Sequence, residues 1–212
     1  RCFPHIVHLG CQAVIHVAED STQSARGIAQ RLPGALTKLE QLSLFHLLYQ
    51  IRKSGVRRDA FQQLVAAKFS RPLQLLRDVN VRWSSTQLML KRGLEMREVM
   101  DSFLKDPAYG DLSQYVLNEQ EWLALKQLSR VLEIPHNFQQ LLSKEKTPTL
   151  CDFLPSFAQI IELWEELQRQ LPEMRQSIQA GLSKIKDYHK RMAKVPAYAL
   201  AMGELTYLNI LM

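Results

Sequence analysis

The chain has 212 residues, of which 46% are hydrophobic and 23% charged. That is enough apolar sequence to bury a core, and too much for a disordered tail. Its net charge of +6 permits an anionic partner without identifying one. Cys2, Cys11 and Cys151 are odd in number and far apart, which excludes a disulfide framework and points to a reducing compartment.

Taken in chain order, residues 4–18 read as a helix, with Ile6, Leu9, Ala13 and Val17 on one stripe at spacings of three and four. The apolar stretch from Ile6 to Ala18 is interrupted by His8, Gln12 and His16, so it is too short and too polar to span a membrane. It also lacks the basic start and cleavage site of a signal peptide. Because the first residue is Arg1 and not Met, further sequence upstream is expected. Asp20 to Gly34 is polar and ends on Pro33-Gly34, which reads as a linker.

A second helix is expected from Thr37 to Lys53, with a broad face of Leu39, Leu42, Leu44, Phe45, Leu47, Leu48 and Ile51 that ends at Gly55. A third spans Arg58 to Phe69. Pro72 to Trp83 has no helical period and reads as extended. Helix returns from Thr86 to Leu104, with Leu88, Leu90, Leu94, Met96, Val99 and Phe103 facing the core.

Pro107 to Gly110 forms a turn. Asn118 and Glu121 then have the three-residue spacing of a capping box, opening a helix that carries Trp122, Leu125, Leu128, Val131 and Leu132. Pro135 is expected to kink or split that helix. Ser143 to Thr149 is a polar connector. A helix from Leu150 to Gln170 carries Phe153, Leu154, Phe157, Ile160, Ile161, Trp164 and Leu167. Pro172 opens the last one, with Ile178, Leu182, Ile185 and Tyr188 at helical spacing. In the nearly uncharged tail, Tyr198 to Met202 could form a buried strand, a reading that period alone does not settle.

The charge is uneven. Between Arg52 and Arg97 there are eleven basic and three acidic residues, a net +8, leaving −2 for the rest of the chain. Such a segment suits phosphate contacts, whose affinity falls with salt, and equally suits a solvated helical face.

Three constellations bear on chemistry. Cys2, His5, His8 and Cys11 invite a zinc reading, but each three-residue step along a helix turns by about −60°, so Cys2 and Cys11 face opposite ways. Four ligands on one helix cannot converge tetrahedrally. A buried thiol and a hydrogen-bonded core histidine are the expectation. In Asp78-Val79-Asn80-Val81-Arg82-Trp83-Ser84-Ser85-Thr86, Arg82 can pair with Asp78 or with a phosphate. Trp83 can fill the core, which physics alone favours, or stack on a base, worth roughly 1–3 kcal/mol. Finally, the carboxylates lie scattered on helical surfaces, as at Glu162, Glu165 and Glu166, where phosphoryl transfer would need two or three meeting at metal. There is no phosphate loop, HExxH or nucleophile elbow.

The order of these motifs resembles that of hAT-family DNA transposases. Arg1-Cys2-Phe3-Pro4-His5-Ile6-Val7-His8-Leu9 is similar to the family's "RCxxHxxNL" helix, and Asp78–Thr86 with Gln87-Leu88-Met89-Leu90-Lys91-Arg92 to its "DVxTRWNSTxxMLxR" segment. The Trp122-to-Leu132 helix, the stretch from Lys144 to Leu154 and the tail Ala199-Leu200-Ala201-Met202 follow the same order. Departures are Ser84 in place of Asn, Gly10 after His8-Leu9, and Gly203-Glu204 in place of Asp-Pro.

The resemblance implies a mainly α chain: a helical insertion domain attached to an incomplete RNase H-like α/β core. Residues 1–85 would be part of the core and the lead-in to the insertion, 86–194 the helical insertion domain, and 195–212 the return strand region of the core. It implies cut-and-paste transposition by way of a DNA hairpin, with Mg2+ or Mn2+ in the intact enzyme and none held in this chain. The family's catalytic aspartates precede the first helix and its glutamate follows the insertion, so this chain would hold no catalytic residue. Arg82 and Trp83 would be the DNA-binding residues at the hairpin end, and Cys2, His5 and Asp78 structural neighbours of the active site. DNA in the nucleus is the implied partner, with homo-oligomerisation through regions outside this chain and no membrane. The alternative is a degenerate or domesticated transposase-derived helical module that binds DNA or protein without enzymatic activity.

Overall fold

In a computed structural model of the protein, the described residues are 3–23, 38–71, 73–76, 83–143, 150–192, 194–195 and 200; the side chains of 19–23, 38–43, 45–46 and 150 are outside the description. The regular elements are α1 (Phe3–Gln23), α2 (Lys38–Lys53), α3 (Gly55–Lys68), α4 (Trp83–Glu95), α5 (Arg97–Leu104), α6 (Glu119–Leu142), α7 (Phe153–Gln170) and α8 (Arg175–Met192). Short 3₁₀ segments occupy Pro107–Tyr115, Leu150–Asp152 and Pro172–Met174. Among the described residues there is no strand, so the protein is mainly helical and the expected α/β core is not seen. The described stretch 73–76, expected to be extended, has no regular secondary structure and joins no ladder, and most of the tail expected to return to a sheet lies outside the described residues.

The chain forms two compact units, one made of Arg1–Ala18 with Arg130–Met212, the other of Glu19–Ser129. The first half of α6 belongs to the continuous unit and its second half to the discontinuous one.

In the discontinuous unit α1 buries Phe3, Ile6, Val7, Gly10, Cys11, Val14 and Ala18. This stripe is rotated from the expected one: Leu9, Ala13 and Val17 are only half-buried. Both stripes have spacings of three and four, so period alone could not choose, and packing did. Phe3 sits edge-on to Phe153 with ring centroids 5.4 Å apart, and 4.6 Å from Phe157. Ile160, Trp164 and Leu167 of α7 bury beside Ile178, Leu182 and Ile185 of α8. Gly181 allows that closeness, since a Cβ there would lie 2.6 Å from both the Trp164 ring and Val14.

Of the kink or split expected at Pro135, the split does not occur: α6 runs through it as one helix. Proline removes the N–H that would bond the carbonyl four residues earlier, here that of Val131. The buried indole Nε1–H of Trp164 donates to that carbonyl at 2.9 Å. A donor from α7 thus satisfies the acceptor that the proline orphans.

In the continuous unit, Leu44, Leu47, Leu48 and Ile51 of α2, Phe61 and Val65 of α3, and Val99, Met100 and Phe103 of α5 are buried. Leu39, Leu42 and Phe45, also expected there, lie outside the described side chains. The Phe103 ring meets Phe61 edge-on and stacks on Tyr109. The helix expected across Thr86–Leu104 starts earlier, at Trp83, and is interrupted at Met96, whose φ of −99° and ψ of 12° separate α4 from α5. Leu88, expected in the core, is 44% exposed, because Leu90 two positions on takes the opposite face. The turn expected at Pro107 extends as a 3₁₀ segment to Tyr115. The capping box is formed: Glu121 N–H donates to Asn118 Oδ1 at 2.9 Å, and Asn118 N–H to Glu121 Oε2 at 2.7 Å.

Candidate nucleic-acid interface

The basic residues of 52–97 fall in the continuous unit, and most of those described serve the fold. Ser54 caps α3 by accepting from the N–H of Arg57, which places Arg57 and Arg58 in the first turn of α3. Arg57 pairs with Asp111 at 2.6 Å, Lys68 with Glu98, Arg71 with Glu95 at 2.5 Å, and Arg97 with Asp101 and Glu119. The Arg97 guanidinium also lies over the Trp122 ring, 5.3 Å from its centroid. Lys68 beside it holds the exposed Glu98 carboxyl below its usual range, first by a hydrogen bond and then by charge.

Asp101, Asp111 and Glu119 lie beyond residue 97, so a charge count that stops there overstates the local positive field. Pairs this exposed are screened by solvent and salt and add little to stability.

Two further arginines hold backbone. Arg52 donates to the carbonyl of Leu75, Arg92 to that of Gln74 at 2.6 Å, and the Gln62 amide to that of Leu73 at 3.2 Å. Three helices thereby pin the stretch 73–76, which has no ladder to satisfy its carbonyls. Leu73 and Leu75 turn inward from it and are 3% exposed each. Sequence reasoning missed Gln62 and Gln74, which no spacing rule connects; the return of the chain after α3 brings them together.

These contacts frame a cleft of about 290 Å³. Its polar wall is Arg52, Arg58, Gln62 and Gln74, and its apolar floor is Ile51, Phe61 and Leu75. Arg58 is 58% exposed at its rim, with Asp59 at 3.7 Å on the same helix. Lys53 stands nearby in sequence, its ammonium 5.9 Å from the Tyr49 ring centroid. Guanidinium and amide groups over an apolar floor can bind a phosphate together with a planar group.

Of the residues singled out by sequence, Cys2, Asp78 and Arg82 lie outside the described residues. Trp83 is described and buried, 3% exposed, at the first turn of α4. His5 is exposed and His8 half-buried, so neither is the core histidine expected on α1. Cys11 is buried, and desolvation pushes its thiol up. Among the described residues no three His, Cys, Asp or Glu side chains are grouped to hold a metal ion, so the donor set for a divalent ion is not found there.

Residues 46–131 match the family model of the ZBED1 RNase-like helical domain. The matched stretch runs from within α2 into the middle of α6, and so covers the cleft and most of the continuous unit. Over 185 residues, 81% of this chain, the sequence is 24% identical to tpeD of Talaromyces stipitatus, a protein named as a proposed transcriptional regulator. The match occupies 21% of that protein, so this chain spans about a fifth of that relative's length. No solved structure matches the chain. No described helix is long and apolar enough to cross a membrane.

Proposed function

We propose that this chain is the helical part of an hAT-transposase-derived nuclear protein, and that it binds and positions DNA without supplying catalytic carboxylates itself. The observation that carries this reading is the match of residues 46–131 to an RNase-like helical domain, over the unit that presents the basic cleft. Divalent metal and the carboxylates that bind it would come from sequence outside this chain.

Within this reading Arg82 contacts a phosphate. Trp83, buried at 3% exposure, acts through the fold: it anchors the start of α4 directly after Arg82. Stacking on a base would require that side chain to leave the core.

Fluorescence anisotropy with a hairpin-ended DNA duplex, across a salt series, tests the reading. Binding at low salt that weakens linearly on a log–log plot is expected, because cations displace condensed counterions from the phosphates. Absence of binding at about 50 mM salt, where phosphate contacts are at their strongest, would remove it. A second reading, a regulator and not an active transposase, draws on the name of the fungal relative. Under it the full-length protein binds DNA and leaves hairpin formation undetectable with Mg2+ or Mn2+.

A further inference from the structure

In the cleft beside α2 and α3 two guanidiniums stand together, Arg58 with the acid neighbour Asp59 and Arg52 on a backbone carbonyl. Asp59 follows Arg58 on the same helix, 3.7 Å from its guanidinium and itself 73% exposed. Arg52 uses one donor on the Leu75 carbonyl, and a guanidinium has five. Gln62 donates its amide N–H to Leu73, which leaves its carbonyl oxygen as an acceptor. Arg58 stands in the first turn of a 14-residue helix, so its charge adds to the positive end of the α3 dipole.

We propose that this cleft, walled by Arg52, Arg58, Gln62 and Gln74, is a binding site for one nucleotide of a single strand. This deepens the DNA-binding reading and rests on it. Arg58 takes the phosphate, with Arg52 behind it. The Gln62 and Gln74 side-chain amides offer donors and acceptors to a base edge. Ile51, Phe61 and Leu75, each 3% exposed or less, close the cleft from beneath. The volume of about 290 Å³ falls just under the roughly 300–1,000 Å³ typical of small-ligand clefts, room for one nucleotide at most and not for a duplex.

The stretch 73–76 is both a wall of the cleft and the last described backbone before the Arg82-Trp83 motif, which is six residues further along the chain. A strand held here is therefore held by the wall that leads into that motif. The shared chemistry, phosphate plus base, is present in a strand and in a free nucleotide, so the probes must separate them.

The test uses the 212-residue chain and a fluorescein-labelled dT oligonucleotide of about twelve residues, within the usual span of single-strand sites. Thymidine monophosphate and inorganic phosphate serve as competitors. Arg58→Glu and Gln74→Ala are compared with Arg175→Glu, an exposed arginine on α8 in the other unit. Thermal unfolding is followed for each variant to confirm that it folds as the parent does. The expected result is that R58E weakens oligonucleotide binding by about tenfold, Q74A by a few-fold, and R175E by less than about twofold, tenfold being about 1.4 kcal/mol. Competition by the monophosphate would identify the nucleotide unit as what the cleft holds. Failure of the monophosphate to compete, with R58E still weakened, would support a strand as the source. Competition by inorganic phosphate as strong as by the monophosphate would overturn the base-binding role of the two glutamines. If the parent binds the oligonucleotide and R58E and Q74A bind it equally well, the cleft is overturned while the DNA-binding reading stands. If the parent binds neither oligonucleotide nor hairpin-ended duplex, both fall.

Discussion

Trp164 joins two problems that sequence presents separately, a proline inside a helix and a large polar aromatic in a core. The indole N–H meets the Val131 carbonyl that Pro135 leaves without its helical partner. Removing the donor while the acceptor stays buried costs more than the bond itself contributes, roughly 1–3 kcal/mol. Trp164→Phe should therefore lower stability by at least that much in denaturant unfolding. In a Pro135→Ala background a backbone N–H is restored at residue 135, and the same substitution should cost measurably less. Equal costs in both backgrounds would show that the indole bond does not compensate for the proline. Trp83→Ala should be destabilising as a core truncation, by about 3–5 kcal/mol. A smaller loss, with DNA binding abolished, would favour a direct contact for Trp83. Cys11 is a third case. Burial raises its thiol above the unfolded value, so its contribution is complete below the unfolded thiol pKa and is lost progressively as pH rises from there through the raised folded one. Thiol labelling of Cys11, mapped by mass spectrometry, should be slow in the folded protein and track unfolding, while the half-buried Cys151 reacts faster.

At the scale of elements, local chemistry was legible wherever it is confined to a few consecutive residues. The Asn118–Glu121 box needs only its own four residues, and it forms as read. Asn118→Ala should cost about 0.5–2 kcal/mol in thermal or denaturant unfolding, and unchanged stability would mean that α6 is held by packing alone. The buried faces of α7 and α8 and the described part of that of α2 likewise follow from period, whereas α3 begins at Gly55, three residues before the Arg58 expected. The buried face of α1 did not, because two stripes of the same period were available and only Phe153, Phe157 and Ile185 across the interface select one. The continuity of α6 through Pro135 was also invisible, since the donor that rescues it is 33 residues away. The cleft was illegible for the same reason: Arg52, Gln62 and Gln74 meet only through the return of the chain after α3.

At the scale of the whole molecule, the helical character and the likeness to transposase-derived proteins were readable from motif order, and the family-model match supports the coarse form of that likeness. The net +8 of residues 52–97 was readable as a number and misleading as a field. Its partners at Asp101, Asp111 and Glu119 come from outside the window, and Arg52 and Arg92 are engaged with backbone carbonyls. What remains for a nucleic acid is a smaller and better-defined surface around Arg58. In the proposed function it is the continuous unit that carries the DNA. Ultraviolet crosslinking of the chain to hairpin-ended DNA, followed by peptide mass spectrometry, tests it most directly. Crosslinked peptides should come from the region 46–97, with those bearing Arg58 and Gln74 among them. Crosslinks confined to α7 and α8 of the other unit would contradict the account.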